Sequence, residues 1–207
     1  MTARLIIIRH GKTYWNNERR YQGHVNIELS PEGIAQAKEL QKRLASSKID
    51  AIYSSDLSRA FRTAEIIAEP HGLKVIPTLG LKEINFGVWE GLTYDEILRD
   101  YPEELKIWQE SPQDLRIKNG ETFTFIRDRA VTAVKEILQE YPGGTVAFVS
   151  HGGTIAALIC GLLEQPLSMM WKYRQNNTAV NILIKNGNKY EIELLNDTSH
   201  LMNKIST

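Results

Sequence analysis

The chain carries a single cysteine, Cys160, in 207 residues. One thiol excludes a disulfide framework and a thiolate metal site, and it fits a reducing compartment. Charge of one sign is not in excess: Lys and Arg total 25, and Asp and Glu total 25. That balance leaves no general field for nucleic acid or a membrane surface, so any anion must be held by a local cluster. The N-terminal apolar run, Leu5–Ile8, is too short for a signal-peptide core or a membrane span. There is no Pro/Gly-rich linker, low-complexity tract or internal repeat. These absences predict one cytoplasmic domain over residues 1–207 with neither a nucleic-acid nor a membrane partner, and they leave a homo-oligomer open. At 42% hydrophobic and 24% charged, the chain can bury one substantial core.

What is present alternates. Arg4–Arg9 is a short apolar run of the kind buried on both faces of a sheet. The polar stretch Gly11–Leu29 reads as a long loop, and a loop of that length in a compact domain is commonly functional. Ser30-Pro31 opens a helix, with Ser30 as cap and Pro31 at the first position. Ala51–Ser54 predicts a second strand, Ser58–Glu69 a helix, and Lys74–Pro77 a third, shorter strand. Thr93 and Glu96 have capping-box spacing. Thr122–Tyr141 is a long amphipathic helix and Thr145–Ser150 another buried strand, followed by the helix TIAALICGLL. Two strand-like runs flank Asn186-Gly187-Asn188, a hairpin signal. The pattern predicts an α/β fold: a three-layer α/β/α sandwich with a mostly parallel sheet and an antiparallel edge from the C-terminal hairpin.

Ligands of open α/β sheets sit beyond the carboxyl ends of the strands. Three polar segments fall there: Arg9-His10-Gly11, Ser54–Arg59 and Ser150-His151-Gly152. Taken singly, each of these side chains is an ordinary loop residue. Together, two arginines and two histidines on one edge would repel unless an anion joined them. A guanidinium fork matches phosphate oxygens, so the cluster points to a phosphoryl group.

The same segments carry a resemblance. Arg9-His10-Gly11 with Thr13 and Asn16, Gln22-Gly23, Leu29-Ser30 with Gly33, Ser55–Ala60 with Thr63-Ala64, Leu81–Gly91, and Ser150-His151-Gly152 together resemble the histidine phosphatase superfamily, which includes the cofactor-dependent phosphoglycerate mutases. The likeness runs through nearly the whole chain in the family's order. It implies that His10 is the nucleophile, carrying the phosphoryl group as phosphohistidine. It further implies that Arg9, Arg59 and His151 grip the phosphate oxygens, with Asn16, Gln22, Gly23 and the Gly152 N–H completing the cradle. The helix after Gly152 would aim its positive end at the phosphate. Glu83 would protonate the leaving alcohol and later take a proton from water. Glu90, the rival carboxylate, reads as a structural hydrogen-bonding partner, and Arg62 as a salt-bridge residue.

Between Glu83 and His151 the chain lacks the sizeable insertion that the resembled mutases carry, and it ends soon after Lys204. Water should therefore reach the phosphohistidine, which favours a phosphatase acting on a small phosphomonoester over a mutase. The stretch Leu195–Leu201 is similar to the end of small-metabolite phosphatases, including those for α-ribazole phosphate and phosphoserine. Trp15, Tyr21, Trp108 and Trp171 are candidates to line a pocket for the organic leaving group. No cofactor or metal is expected. A metallohydrolase using His10, His151 and His24 lacks the ligand spacing such sites show, and a phosphate-binding module without catalysis should have lost His10 or Glu83.

Overall fold

The structure, a computed structural model, describes residues 2–204. In chain order its elements are β1 (Thr2–Arg9), α1 (Tyr14–Asn17), α2 (Pro31–Leu44), β2 (Ala51–Ser54), α3 (Ser58–Ala68), β3 (Val75–Pro77), α4 (Tyr94–Asp100), α5 (Pro102–Glu110), α6 (Phe123–Glu140), β4 (Thr145–Ser150), α7 (Gly152–Leu162), β5 (Val180–Asn186) and β6 (Lys189–Asp197). The six strands form one sheet in the order β3-β2-β4-β1-β5-β6. β1, β2, β3 and β4 run parallel, while β5 and β6 add the antiparallel edge. The hairpin turns at Gly187-Asn188, where Gly187 adopts φ +60°.

Strand side chains alternate between faces, and both faces are covered. Leu5 and Ile7 point into one core with Phe148, Phe123, Ile126 and the apolar length of α7. Ile6 and Ile8 point into the other with Leu40, Leu44, Ala64 and Ile67 from α2 and α3. Three layers result, as the alternating pattern predicts. α7 is buried along almost its whole length, with Cys160 fully inside. Among the described residues, no single helix is long and apolar enough to cross a membrane.

The caps fall where the sequence puts them. The Ser30 side chain accepts from Gly33 N at the start of α2, and Thr93 with Glu96 forms a complete capping box on α4. Two helices lie outside the sequence expectations. α1 is a single turn inside the polar stretch after Gly11, closed by a capping box between Thr13 and Asn16. α5 follows α4 directly, with Pro102 at its first turn. Register sets the site. Arg9 pairs with Ser150, and Ser54 with Val149, so the chain leaves β1, β4 and β2 at one level on adjacent strands.

Candidate active site

Three strand ends meet at that level. His10 N donates to Ser150 O at 3.0 Å, and Ser55 N donates to Val149 O at 3.0 Å. The His10 and His151 rings come within 5.1 Å between centroids. Both imidazoles are buried, and both have pKa values pushed well below the usual histidine value of 6.5 by burial and by the nearby Arg59 and Arg9 charges. They are therefore neutral at physiological pH, so the positive charge of the site belongs to the arginines alone. Of the four cationic-capable side chains that the sequence gathers, two are cations and two are neutral rings.

The tautomers follow from the partners. His10 Nδ1 lies 2.7 Å from Gly11 O. A carbonyl only accepts, so Nδ1 carries the proton and Nε2 keeps its lone pair. His151 is the reverse: its Nδ1 accepts from Arg59 Nε at 3.2 Å, and its Nε2 donates to Ser55 Oγ at 2.8 Å. Gly11 is held by a close approach. Its N–H donates to Thr63 Oγ1 at 3.0 Å, and a Cβ there would lie 2.6 Å from Gly33 O.

Arg9 and Arg59 are the electrostatic centre. Arg9 Nη1 donates to Gln175 O at 2.6 Å, and its buried Nε has no partner. Arg59, 1% exposed, donates from Nη2 to Gly23 O at 2.7 Å and from Nη1 to Val25 O at 3.0 Å, which leaves one N–H on each Nη. Burial pushes the Arg59 pKa down to about 10, opposed by the nearby Glu83 charge. Among the described residues, neither guanidinium has a carboxylate on it. Buried arginines are ordinarily paired. A buried pair with only carbonyl and imidazole partners is a site short of an anion.

Glu83, 8% exposed, faces the cleft from the other side. Its carboxylate accepts from Gly153 N at 3.0 Å, Thr154 N at 2.9 Å, Thr154 Oγ1 at 3.0 Å and its own neighbour Ile84 N at 3.0 Å. Glu83 thus caps α7, whose N-cap residue His151 makes no capping bond of its own. This corrects the expectation that α7 begins at Thr154 and points its free N–H groups at the ligand: the second and third are taken by Glu83. The Gly152 N–H stays beside Arg9, with a Cβ on Gly152 3.5 Å from Arg9 Nε.

Asn16, Gln22 and Gly23 line the same cleft. Asn16 Oδ1 accepts from Thr13 N, Thr13 Oγ1 and Asn177 Nδ2, which leaves its Nδ2 donors for a ligand. The Gln22 Oε1 is buried without a partner. Gly23 sits at φ +51° with a prospective Cβ 1.9 Å from Glu90 Oε1. That carboxylate oxygen also accepts from His24 N at 2.7 Å and Phe86 N at 3.2 Å. Glu90 is the structural partner the sequence suggests, clamping the turn whose carbonyls hold Arg59. Arg62 pairs with Glu65 on the surface at 3.1 Å.

Tyr21, Trp108 and Trp171 line the outer cleft, whereas Trp15 lies against Gly91 instead. His24 turns away from the two central imidazoles: its Nε2 lies 2.8 Å from Glu83 O and 3.6 Å from Glu121. Among the described residues, no three His, Cys, Asp or Glu side chains gather as metal ligands.

A second layer went unread in the sequence. His10 O accepts from Thr178 N at 3.2 Å and Asn177 Nδ2 at 3.1 Å. The Thr178 hydroxyl lies 3.1 Å from His200 Nε2, whose other nitrogen faces Arg43 at 3.1 Å. Gln175, which holds Arg9, is tied through Oε1 to Asn181 Nδ2 at 2.7 Å, and Asn181 in turn receives Asn196 N at 2.8 Å. The polar stretch Leu195–Leu201 therefore braces His10 and Arg9 from behind. The polar run Gln175–Thr178 just before β5 was the signal available.

A bare imidazole nitrogen beside two unpaired guanidiniums, at the strand ends of an α/β sheet, defines a phosphate-handling enzyme. Comparison with known proteins gives the family. Residues 5–198 match the model of the histidine phosphatase superfamily (branch 1), and the chain belongs to that superfamily. It is 34% identical over 199 residues to phosphoserine phosphatase 1 of Hydrogenobacter thermophilus, covering 96% of this chain and 94% of that one. It is 37% identical over 204 residues to phosphoglycerate mutase-like protein 4 of Arabidopsis thaliana, covering 96% and 87%. A structure of a phosphoserine phosphatase mutant from Entamoeba histolytica in complex with phosphoserine superposes with a TM-score of 0.88 at 32% identity, covering 97% of this chain and all of that one, 100%.

Proposed function

We propose that this chain hydrolyses a small phosphomonoester in two steps through a phosphohistidine on His10. The observation that carries the reading is the neutral His10 ring, its proton held on Nδ1 by Gly11 O and its Nε2 free beside two buried guanidiniums. In the first step Nε2 attacks phosphorus, a P–N bond forms, and the P–O bond to the alcohol breaks. Glu83 gives its proton to the departing oxygen. In the second step water attacks, the P–N bond breaks, and Glu83 takes the water's proton. Charge accumulates on the non-bridging oxygens in both steps; the Arg9 and Arg59 guanidiniums oppose it with their charge, and the neutral His151 adds the Nε2–H that Ser55 Oγ otherwise accepts. Asn16, Gln22, Gly23 and the Gly152 N–H supply the remaining contacts.

Hydrolysis is favoured over mutase transfer because the segment between Glu83 and His151 stays compact. The relatives' names point both ways, to phosphoserine phosphatases and to phosphoglycerate mutase-like proteins. Product analysis with 3-phosphoglycerate separates the two: phosphate release should outrun 2-phosphoglycerate formation, and the opposite order reverses the assignment. The lone buried Cys160 and balanced charge support a cytoplasmic, single-domain enzyme.

The mechanism is tested by quenching in alkali after brief exposure to 32P-labelled substrate, since a phosphoramidate survives base and is lost in acid. Label should appear on the wild-type chain and be absent from His10→Ala. A labelled His10→Ala chain overturns the assignment. Glu83→Gln should slow alkyl phosphates about 10²-fold while sparing p-nitrophenyl phosphate, whose leaving group departs without a proton. Equal losses on both would remove Glu83 as the acid.

A further inference from the structure

His24 sits in the loop that holds Arg59, yet its ring turns to Glu83. The carbonyl of the preceding residue, Gly23, accepts from Arg59 Nη2 at 2.7 Å, and His24 N is fixed on Glu90 Oε1 at 2.7 Å. The ring Nε2 lies 2.8 Å from Glu83 O. A carbonyl only accepts, so Nε2 carries a proton and donates it there. Glu121 stands beside the same nitrogen, with Oε2 at 3.6 Å, and that oxygen accepts from Asn85 N at 2.9 Å. Arg129 completes the group. Its Nη2 lies 3.1 Å from Lys82 O and 3.4 Å from both Glu83 O and Glu121 Oε2. The main chain before, at and after Glu83 is therefore held by side chains from two distant segments, and His24 makes the shortest contact to the Glu83 carbonyl.

Glu83 needs such anchors because it must work in two states. As a carboxylate it accepts from Gly153 N, Thr154 N, Thr154 Oγ1 and Ile84 N. Hydrogen bonds to an ionised acceptor are stronger than those to a neutral one, so this anchorage slackens when Glu83 takes up a proton. The protonated oxygen also turns from acceptor to donor. Bonds to the main-chain carbonyl are indifferent to that change. They hold Glu83 in the acid form, when its side chain is held least and its proton must reach the leaving oxygen.

The geometry points to His24 as a positioning residue for the acid form of Glu83: its Nε2–H on the Glu83 carbonyl keeps the protonated carboxyl aimed at the leaving alcohol. The inference rests on the two-step phosphatase reading above and adds a residue to its first step. No bond to phosphorus forms or breaks at His24, and the proton that reaches the alcohol is the one on Glu83. Because the same loop grips Arg59, one segment sets both the phosphate and the acid.

The test compares ethyl phosphate, whose alcohol departs with a proton, and p-nitrophenyl phosphate, whose phenolate departs without one. His24→Asn keeps a polar side chain, but its amide ends near the place of Nδ1 and falls short of Glu83 O. His24→Gln carries an N–H donor near the place of Nε2. His24→Asn should lower kcat/KM about tenfold for ethyl phosphate and less than about twofold for p-nitrophenyl phosphate, the weight of one hydrogen bond. His24→Gln should regain most of that loss. Equal losses on the two esters, no loss on either, or a loss in His24→Gln as deep as in His24→Asn overturns the assignment. In a Glu83→Gln background there is no proton to aim, so adding His24→Asn should leave the ratio of the two rates unchanged. A further change in that ratio also overturns it. A His24→Asn chain that fails to fold passes the test to Glu121→Gln, which keeps an acceptor for Asn85 N and removes the charge beside Nε2. The ratio should then fall in the same direction by about twofold, and an unchanged ratio counts against the role of His24. Glu83→Gln alone separates the two levels. If it leaves the ratio where wild type has it, Glu83 is not the acid and the phosphatase step itself fails. If it moves the ratio and His24→Asn does not, only the role of His24 is lost.

Discussion

The two ends of the cleft are built on opposite plans. At the inner end almost every polar group is fixed twice: Arg59 by three acceptors, Glu83 by four donors, His10 through its ring and through its carbonyl. The outer wall, formed by Tyr21, Phe86, Trp108, Phe123, Met170 and Trp171, is held by ring packing, and its residues come from five separated places in the chain. Hydrogen bonds fix direction, so the inner end can present donors to one tetrahedral anion. Apolar contact is non-directional, so the wall can accept differently shaped alcohols over unchanged chemistry. The inner end should thus fail sharply when altered, and the wall gradually.

The largest effect expected is the loss of the nucleophile. His10→Ala should lower turnover of p-nitrophenyl phosphate by roughly 10³-fold or more, read in a steady-state assay. A loss smaller than about tenfold would mean that the inner end is not where the covalent step occurs.

Acid should come next, acting on stability. His10 and His151 are held well below their ordinary pKa, and His200 is pushed down to about 4, chiefly by burial. Above the unfolded value near 6.5 the rings are neutral in both states. As pH falls below 6.5, the unfolded chain binds protons that the folded chain refuses. Stability therefore drops, by up to about 1.4 kcal/mol per pH unit for each ring, until the folded values are reached. Thermal melting between pH 7.5 and 5 should show a falling Tm, with a shallower fall in His200→Gln. A flat Tm over that window contradicts the burial of neutral imidazoles.

Gly23→Ala probes the clamp between the ends. The φ of +51° costs a residue with a Cβ about 1–2 kcal/mol, and the new methyl would displace the Glu90 carboxylate. Denaturant unfolding should register that loss together with a drop in kcat/KM, since the Gly23 carbonyl holds Arg59. Full activity in this variant would show that the arginine does not need its clamp.

The smallest effect should come from the wall. Met170→Leu is close to volume-conserving, and such exchanges cost under about 1.5 kcal/mol. It should shift KM for bulky esters more than kcat. A kcat loss rivalling that of His10→Ala would erase the contrast between the two ends.

How much could be read beforehand follows the same division. β1, β2 and β4 are legible because an unbroken apolar run such as Leu5–Ile8 has few alternatives to burial on both faces. Arg9, His10, Arg59 and His151 stand out because a polar group at the tip of such a run has no packing reason to be there. α1 was hidden because four residues carry no periodicity, and its stability comes from the Thr13–Asn16 capping box. α5 announces itself with Pro102, Glu103 and Glu104, but it buries only Leu105, too thin a stripe to read. The capping of α7 by Glu83 joins residues about seventy positions apart, and local pattern says nothing of such a pairing. Trp15 illustrates the converse: an aromatic residue close in sequence to Asn16 points elsewhere.

The order of apolar and polar runs alone determined the layered α/β architecture, the parallel strands and the segments that end at the functional edge, because burial of strand and helix faces depends mainly on local periodicity. Which nitrogen of His10 is bare, which N–H groups Glu83 occupies, how Leu195–Leu201 braces the nucleophile and which rings face the cleft were decided only in three dimensions. Those properties arise from pairs of atoms distant in sequence, whose hydrogen bonds and mutual desolvation exist only once the chain has closed on itself.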